Sequence, residues 1–205
     1  MERDSMEYDV VIVGAGPAGL SAACKIKQQR PDSSVVVVEK GSEVGAHILS
    51  GAVFETTALD ELFPNWQELN APLNTPVDKD DILVLTGPEK GIKVPGLFAP
   101  KTMHNDGNYI ISLGNLCRWL AEQAENLGVE IFPGFTAAEV LYGEAGEVRG
   151  IVTGEMGVGV NGEQKDSYVP AMELIGRYTV FAEGCRGHLG KSLIANFRLD
   201  EGKTP

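Results

Sequence analysis

Apolar and helical segments alternate through the first forty residues of the chain. Residues 10–13 form a continuous apolar run, and residues 35–38 form a second one. Between the two runs, apolar residues from Leu20 onward recur with the spacing of one helical face, until Arg30-Pro31-Asp32 interrupts the pattern. The pattern predicts a βαβ unit over residues 8–40.

Beyond this unit, the pattern predicts a proline-rich insert, one helix and a series of short strands. Five prolines in residues 71–110 favour loops and edge strands. Helical spacing predicts a helix over residues 113–127, which Gly128 ends. Apolar stretches separated by glycines predict an antiparallel β meander over residues 129–183. The order predicts an α/β fold in which a meander lies over a Rossmann-like sheet. That arrangement is typical of FAD-binding domains, whereas a plain NAD domain would continue with regular βα units.

A glycine-rich turn after the first apolar run carries the main chemical signal. Gly14 permits a tight turn, Gly16 leaves room for a pyrophosphate, and Gly19 lets the helix pack closely on the sheet. Pro17 fits the first helical turn, where a missing N–H costs nothing. Glu39 ends the second run and is placed to accept hydrogen bonds from a ribose diol. The spacing predicts a dinucleotide site, and the motif alone does not separate FAD from NAD.

Composition and charge limit the classes of partner. The chain has 205 residues, of which 43% are hydrophobic, and its net charge is −12. An acidic surface disfavours binding to nucleic acid and to anionic lipid headgroups. No apolar run reaches the roughly 20 residues that a membrane helix requires. The polar, acidic N-terminus lacks the pattern of a secretory signal, so we expect neither a signal nor a transmembrane segment in this chain.

The sequence offers no recognisable metal site or catalytic side-chain set. Cys24, Cys117 and Cys185 are too widely spaced for a metal-binding pair, and their odd number argues against a disulfide framework. We interpret the first two as small buried residues. The acidic run at residues 78–81 is interpreted as a solvated surface. We therefore expect no metal ligand and name no catalytic residue.

Four longer strings carry a resemblance to a known family. They are residues 10–23 (VVIVGAGPAGLSAA), 45–51 (GAHILSG), 103–116 (MHNDGNYIISLGNL) and 181–191 (FAEGCRGHLGK). The first string is shared by many flavoproteins, whereas the other three are much more specific. Over almost all of residues 8–201, the chain resembles the electron transfer flavoprotein–ubiquinone oxidoreductase family.

The resemblance implies a fold and a function. The fold is that of the p-hydroxybenzoate hydroxylase and geranylgeranyl reductase group. In this family FAD takes electrons from reduced electron transfer flavoprotein and passes them to ubiquinone in the respiratory chain, and four cysteines near the C-terminus hold a [4Fe–4S] cluster. These oxidoreductases act at the cytoplasmic face of the bacterial inner membrane or at the mitochondrial inner membrane.

The chain is much shorter than the family. We expect residues 1–205 to be a truncated, N-terminal part of the FAD-binding domain, without the quinone and iron–sulfur domains. The [4Fe–4S] cluster is then expected only in the full-length protein, membrane contact only through the missing parts, and the fragment alone is expected to be inactive.

The resemblance also implies a set of cofactor contacts. Lys40 should lie by the adenosine, residues 45–51 beside the ribityl chain and flavin ring, and the loop at residues 183–187 near the flavin. Arg118 corresponds to an arginine that contacts the FAD phosphates, and a solvated helix arginine remains the alternative. The expected contacts are Gly14, Gly16, Pro17, Ala18, Gly19, Glu39, Lys40, Gly45, Ala46, Ile48, Leu49, Ser50, Gly51, Arg118, Ala137, Ala138, Glu183, Gly184 and Gly187.

Two other functions remain open on the sequence. The chain is also compatible with a different FAD-dependent reductase or monooxygenase of the same fold group that uses NAD(P)H. It is further compatible with a non-catalytic FAD-binding fragment. Reduction of the bound flavin by NADPH, by electron transfer flavoprotein or by neither distinguishes the three.

Overall fold

The computed structural model describes residues 3–203 of the chain. They divide into two compact units, one from Met1–Ile48 and Cys117–Pro205 and the other from Leu49–Leu116. In chain order, the strands and helices are β1 (Ser5–Val13), α1 (Pro17–Gln29), β2 (Val35–Glu39), β3 (Ser50–Phe54), α2 (Thr57–Leu62), β4 (Ile82–Gly87), β5 (Lys90–Val94), β6 (Tyr109–Ser112), α3 (Leu113–Asn126), β7 (Glu130–Pro133), β8 (Ala137–Tyr142), β9 (Val148–Thr153), β10 (Met156–Val158), β11 (Gln164–Val169), β12 (Glu173–Phe181) and α4 (His188–Phe197).

A six-stranded mixed sheet forms the core of the first unit. Its strand order is β7-β2-β1-β12-β9-β8, and the first four strands are parallel. The four valines of β2 are at most 2% exposed. Such a continuous apolar run is expected of a parallel strand that is covered on both faces. In chain order β1, β2 and β7 are the first three strands of the parallel part, and they lie in the order β7-β2-β1, followed by the later strand β12. This is the Rossmann pattern, and it opens a crevice at the carboxyl ends of β1 and β12.

The antiparallel part of this unit is smaller than the predicted meander. Strand β7 lies at the start of the predicted range 129–183 but pairs in parallel with β2, and β12 pairs in parallel with β1. The antiparallel pairs are β8 with β9, β9 with the first residues of β12, and the separate hairpin of β10 and β11. The prediction of one meander over the whole range was therefore wrong for β7, whereas β12 belongs to both the antiparallel and the parallel part of the sheet. Hydrophobic spacing identifies strands, whereas their partners depend on contacts between distant residues.

Two helices of the first unit pack through small side chains. The thiol of Cys24 on α1 lies 3.8 Å from the carbonyl oxygen of Leu120 on α3, and both residues are buried. Helix α3 ends one residue earlier than the predicted 127, where Gly128 adopts a φ of 86°. The N–H groups of Gly128 and Val129 then donate to the last carbonyls of the helix. This left-handed ending is the usual role of glycine after a helix.

The second unit consists of two antiparallel pairs and a short helix. Strand β3 pairs with β6, and β4 pairs with β5. Trp66 is buried, packs edge-on against Tyr109 at 5.9 Å and donates from Nε1 to the carboxylate of Asp60 at 2.7 Å. The proline-rich range 71–110 holds the β4–β5 hairpin and two 3₁₀ turns, Gly96–Phe98 and Lys101–Met103.

The acidic run at residues 78–81 is not only a solvated surface. The carboxylate of Asp80 accepts hydrogen bonds from the backbone N–H and the side-chain amide of Asn105 at 2.7 and 2.9 Å. Asp81 forms ion pairs with Lys79 and Lys93. These contacts lower the pKa of both carboxyl groups. Asp81 is exposed, as the solvated-surface interpretation requires, whereas Asp80 is partly buried and bonded to a residue outside the run.

Candidate cofactor site

The glycine turn follows β1 directly and requires glycine at its first position. Gly14 has a φ of 104°, a conformation that side chains rarely adopt, and its N–H donates to the carbonyl oxygen of Val38 at 2.8 Å. A Cβ atom at Gly14 would lie 2.6 Å from the carbonyl oxygen of Ala182. The turn is therefore packed between the ends of β2 and β12.

The third glycine of the turn is required by packing. A Cβ atom at Gly19 would overlap with the carbonyl oxygen of Gly14 and would lie 3.2 Å from the Cγ2 atom of Ile12. Gly19 itself is buried on the inner face of α1. This geometry agrees with the prediction that Gly19 lets the helix approach the sheet.

Gly16 differs from the other two glycines, because neither its backbone nor its surroundings require it. Its φ and ψ are −79° and 178°, which any residue can adopt, and a Cβ atom there would meet nothing within 4 Å. The open space lies at the N-terminus of α1, which has Pro17 in its first turn and neither a side-chain cap nor an acidic residue there. Ala18 is exposed next to it. An uncapped helix N-terminus with free space in front of it suits an anion.

The carboxylate of Glu39 joins two backbone turns. Its Oε2 atom accepts a hydrogen bond from Ala15 N–H at 2.9 Å, and its Oε1 atom accepts one from Gly41 N–H at 2.7 Å. The sequence predicted only a ribose acceptor here. A carboxylate has about four lone-pair sites, so these two bonds leave acceptor capacity for hydroxyl donors. Glu39 therefore fixes the glycine turn and retains acceptor capacity.

Cys117 on α3 lies close enough to Glu39 for the carboxylate charge to affect the pKa of its thiol. Burial, together with the Glu39 carboxylate, raises the pKa of the Cys117 thiol to about 11. Burial raises the pKa of the Cys24 thiol to about 12, while Cys185 is exposed. Both buried cysteines therefore remain neutral thiols, as their interpretation as packed residues requires.

Arg118 contacts the loop that follows β2. Its Nη1 atom donates to the carbonyl oxygen of Val44 at 3.4 Å and lies 4.0 Å from Oε1 of Glu43. The side chain is 44% exposed. The structure thus gives Arg118 a partner that neither sequence alternative included, because the loop and the helix are distant in sequence.

The segment at residues 45–51 is divided between the two units. Gly45 has a φ of 85°, Ala46 donates its N–H to Glu43, and Ile48 donates its N–H to Gly45, all within the first unit. In the second unit, Leu49 is 88% exposed, Ser50 begins β3, and Gly51 has a φ of 80°. Lys40, just before this segment, is exposed.

The loop after β12 is organised by Glu183. Its carboxylate is 12% exposed and accepts hydrogen bonds from Gly190 N–H at 2.8 Å and Leu189 N–H at 3.4 Å. It thereby caps the N-terminus of α4. A Cβ atom at Gly187 would overlap with the Glu183 side chain, and Gly184 has a φ of 75°. The sequence predicted this loop beside the flavin, and the structure adds a capping role that residue spacing did not indicate.

His188 connects this loop to strand β8. Its Nδ1 atom lies 3.5 Å from Oε1 of Glu183, and its Nε2 atom lies 3.4 Å from the carbonyl oxygen of Ala138. Ala137 is buried and Ala138 is exposed at the start of β8. Ala15, Gly41 and His188 were not among the expected contacts, although Ala15 lies within the glycine motif and Gly41 lies two residues after Glu39.

The carboxyl ends of three parallel strands therefore meet around one turn. Gly14 follows β1, Glu39 ends β2, and Ala182 follows β12, with direct contacts of Gly14 to both neighbouring strand ends. Within residues 3–203, no group of three or more His, Cys, Asp or Glu side chains is arranged to hold a metal ion. The arrangement offers backbone donors, one carboxylate and space, which are the components of a dinucleotide site.

Known proteins with similar sequences include electron transfer flavoprotein-ubiquinone oxidoreductases from bacteria and mitochondria. Residues 1–62 match the Thi4 family. The chain is 68% identical to the electron transfer flavoprotein-ubiquinone oxidoreductase of Pseudomonas aeruginosa over 205 residues, which is 98% of this chain and 37% of that protein. The mitochondrial protein of the same name from Mus musculus is 52% identical over 97% of this chain and 33% of its own length.

The resemblance to electron transfer flavoprotein–ubiquinone oxidoreductases is confirmed. It extends over nearly the whole chain, which spans about a third of the length of these relatives. The resemblance rests on sequence identity well above the level at which only a fold is shared.

Solved structures confirm the fold class. A geranylgeranyl bacteriochlorophyll reductase-like protein from Thermoplasma acidophilum superposes with a TM-score of 0.65 at 19% identity, over 91% of this chain and 42% of its own. THI4 from Thermovibrio ammonificans superposes with a TM-score of 0.60 at 21% identity, over 92% of this chain and 62% of its own. The FAD-dependent halogenase CndH superposes with a TM-score of 0.62 at 16% identity, over 91% of this chain and 39% of its own. The predicted α/β fold of the geranylgeranyl reductase group is therefore correct.

Proposed function

We propose that the turn at residues 14–19 binds FAD. The observation that carries the proposal is the open space in front of Gly16, at an uncapped helix N-terminus, where nothing in the protein itself demands glycine. An anionic pyrophosphate fits that space and the free N–H groups behind it. Two proteins of this fold, CndH and CtdE, are described as FAD-dependent and as solved in complex with FAD.

In this proposal, different residues of the chain contact different parts of FAD. Backbone N–H groups at Ala18 and Gly19 face the pyrophosphate, with Pro17 leaving that end of the helix free of a cap. Glu39 accepts the ribose hydroxyls while it holds Ala15 and Gly41. Lys40 and the backbone of Ala137 and Ala138 lie toward the adenosine.

The rest of the predicted set faces the remainder of the cofactor. Arg118, which lies on α3 and contacts the loop after β2, is directed toward the phosphates. Gly45, Ala46 and Ile48 lie beside the ribityl chain. The loop of Glu183, Gly184 and Gly187 lies near the flavin. When bound, FAD accepts and donates electrons, and the protein sets its position, its potential and its access to solvent.

The experiment compares Gly16→Val with Gly16→Ala and the unchanged chain. Valine fills the open space, so FAD binding should fall below detection, while circular dichroism and the thermal midpoint should stay close to those of the unchanged chain. The smaller alanine should weaken binding less. Stoichiometric FAD absorbance in the purified Gly16→Val variant would contradict the site assignment.

We propose a biological role from the names of the relatives. FAD in this chain receives electrons from reduced electron transfer flavoprotein and passes them to ubiquinone, with the quinone and [4Fe–4S] parts supplied outside the matched region. The support is the shared name of bacterial and mitochondrial relatives. For this protein we propose a location at the cytoplasmic face of the bacterial inner membrane or at the mitochondrial inner membrane. In the FAD-loaded protein, reduction by electron transfer flavoprotein supports this role, whereas reduction by NADPH alone supports an NAD(P)H-dependent reductase.

One surface of the second unit favours membrane contact within this chain. Among residues 3–203, no helix is long and apolar enough to cross a membrane. The β4–β5 hairpin, however, exposes apolar side chains on both faces, with Leu83, Leu85 and Ile92 at 56, 76 and 63% exposure. Lys90 and Lys93 lie on the same hairpin. Exposed apolar side chains beside lysines suit a lipid surface, so the expectation that membrane contact lies only in other parts is revised in this proposal.

Vesicle binding tests the hairpin. The unchanged chain should sediment with phosphatidylcholine vesicles, and Leu83→Glu together with Leu85→Glu should abolish it, because two charges enter the apolar surface. Thr86→Glu on the same strand is the control with one added charge outside the apolar cluster, and it should reduce sedimentation less. Equal sedimentation of all three proteins would contradict lipid contact by the hairpin.

A further inference from the structure

The hairpin of β10 and β11 ends in an exposed turn. Gly159 N–H donates to the carbonyl oxygen of Glu163 at 2.8 Å, and Gly162 N–H donates to the carbonyl oxygen of Gly159 at 3.0 Å. Val160 is fully exposed at the tip, and Asn161 beside it is also exposed. The turn is therefore in contact with solvent and is closed by backbone hydrogen bonds.

Asn161 stands before glycine, and the sequence contains no second Asn-Gly pair. Glycine has no Cβ atom and wide backbone freedom, so its nitrogen can approach the side-chain amide of the preceding residue with little hindrance. Among residues 3–203, no hydrogen bond holds the side-chain amide of Asn161. By contrast, the side-chain amides of Asn105 and Asn196 donate to Asp80 and Tyr142. Asn161 thus differs from these asparagines both in its neighbour and in its freedom.

We propose that Asn161 is a site of spontaneous deamidation. The Gly162 nitrogen loses its proton to a solvent base and attacks the Cγ atom of Asn161. The new N–Cγ bond closes a cyclic imide, the Cγ–Nδ2 bond breaks, and ammonia leaves. Water then opens the imide at either carbonyl carbon and gives aspartate or isoaspartate. The net reaction consumes one water and releases one ammonia, with no oxidation or reduction.

The hydrogen bond of Gly162 controls when this reaction can occur. In the closed turn its N–H is donated to Gly159, so the nitrogen can attack only after the turn opens. Exposed loop tips are among the parts of a fold that open at the lowest free energy. The folded chain should therefore deamidate more slowly at Asn161 than a peptide of residues 154–168, and faster there than at its other asparagines.

The product alters the turn that contains it. The Oε2 atom of Glu163 accepts the N–H of Asn161 at 3.1 Å. A new carboxylate at position 161 lies beside that of Glu163, and neighbouring like charges repel. The isoaspartate product also lengthens the backbone by one methylene group. Deamidation thus adds a negative charge to a chain whose net charge is already −12, and it loosens the end of the hairpin.

A second turn of the chain has the same geometry without asparagine. Between β8 and β9, Gly143 N–H donates to the carbonyl oxygen of Glu147 at 2.8 Å, and Gly146 N–H donates to that of Gly143 at 3.0 Å. Ala145 N–H donates to the Glu147 carboxylate at 3.1 Å. Gly146 and Gly162 have φ values of 83° and 84°. Ala145→Asn therefore creates a matched Asn-Gly site at a different place in the chain.

The first experiment follows every asparagine by peptide mass mapping. The unchanged chain is kept at pH 8 and 37 °C and digested at intervals. Asn161 should gain the mass of an NH₂-to-OH exchange about tenfold or more faster than any other asparagine, because no other precedes glycine. Asn161→Gln should stay intact at this position, because its longer side chain would have to close a larger ring. Faster conversion at another asparagine overturns the proposal, and so does an intact Asn161 when the peptide of residues 154–168 deamidates.

The matched turn tests whether turn geometry sets the rate. Ala145→Asn is combined with Asn161→Gln, so that one Asn-Gly pair remains. Its conversion rate should agree with that of Asn161 within about threefold, because the same set of hydrogen bonds must open first. Failure of the Ala145→Asn site to convert on the time scale of Asn161 overturns the assignment of the rate to this turn.

The consequence for the hairpin is measured on the converted chain. Ion exchange separates it from the unchanged chain, because it carries one more negative charge. Hydrogen exchange at residues 159–163 should be faster in the converted chain, whereas residues 143–147 should exchange equally in both. Equal exchange at residues 159–163 overturns the proposed loosening of the turn. None of these measurements depends on FAD binding.

Discussion

The Oε2 atom of Glu39 accepts a hydrogen bond from the backbone N–H of Ala15 at 2.9 Å. The same carboxylate holds Gly41 N–H through its other oxygen. An acid that was expected to serve the cofactor thus also holds the turn before any cofactor binds. Its removal should consequently affect the folded protein and the binding of FAD separately.

Glu39→Ala removes a charged acceptor from two backbone N–H groups. Hydrogen bonds to charged groups contribute about 1.5–3 kcal/mol, so the free energy of unfolding in urea should decrease by an amount in that range. FAD affinity should fall by about one to two orders of magnitude, because the ribose also loses its acceptor. Glu43→Ala, on the exposed loop nearby, is the control. Weaker FAD binding with unchanged unfolding would show that the two backbone bonds contribute little to stability.

Gly19→Ala should destabilise the fold, whereas Gly16→Ala should not. The added methyl group at Gly19 overlaps with the carbonyl oxygen of Gly14, and the same group at Gly16 meets open space. Overpacking of this kind typically costs about 1–3 kcal/mol. Thermal unfolding of the two variants measures the difference directly. Equal midpoints for the two variants would mean that α1 can move away from the turn without cost.

Glu183→Ala should loosen the start of α4. The carboxylate accepts the N–H groups of Leu189 and Gly190 and is nearly buried, so both donors lose their acceptor. We expect the unfolding free energy to fall by about 1–3 kcal/mol and amide exchange at residues 188–193 to accelerate. Glu144→Ala, on an exposed turn, is the control. Unchanged exchange at α4 would contradict the capping role.

The three cysteines should differ strongly in reactivity. A disulfide reagent at pH 8 should modify Cys185 rapidly and the other two only after unfolding. Burial raises the pKa of Cys24 to about 12 and that of Cys117 to about 11, so their thiolate forms are scarce at this pH. Cys185→Ser should eliminate the fast phase. Rapid modification of a second thiol in the folded protein would show that α1 and α3 separate readily.

Stability should fall in acid partly through Asp80. Its hydrogen bonds with Asn105 lower its pKa in the folded state. A group with a lowered pKa stabilises the fold above its unfolded pKa, and this contribution is lost as pH falls through the folded pKa. Below about pH 4, which is near the pKa of an ordinary aspartate, thermal midpoints of Asp80→Asn should therefore depend less on pH than those of the unchanged chain. Asp78→Asn is the matched control, and equal pH dependence in the two variants would exclude Asp80 as a source.

Local sequence was sufficient for the glycine turn and its flanking elements. The βαβ unit, the helix at residues 113–127 and the spacing from Gly14 to Glu39 depend on residues close together in the chain. Backbone sterics at Gly14 and the periodicity of buried side chains encode them directly. The fold class also followed, because a Rossmann unit with later antiparallel strands leaves few arrangements.

Tertiary structure decided which elements are neighbours. Hydrophobic spacing could not show that β7 and β12 are parallel strands, since strand pairing depends on contacts between residues far apart in sequence. For the same reason the sequence could not give Asp80 its partner Asn105 or Arg118 its loop. The cap of Glu183 on α4 is local, since its partners Leu189 and Gly190 lie 6 and 7 residues away, but residue spacing did not indicate it. Sequence determined what each residue can do chemically and locally, and the packed sheet determined which partner each polar group meets.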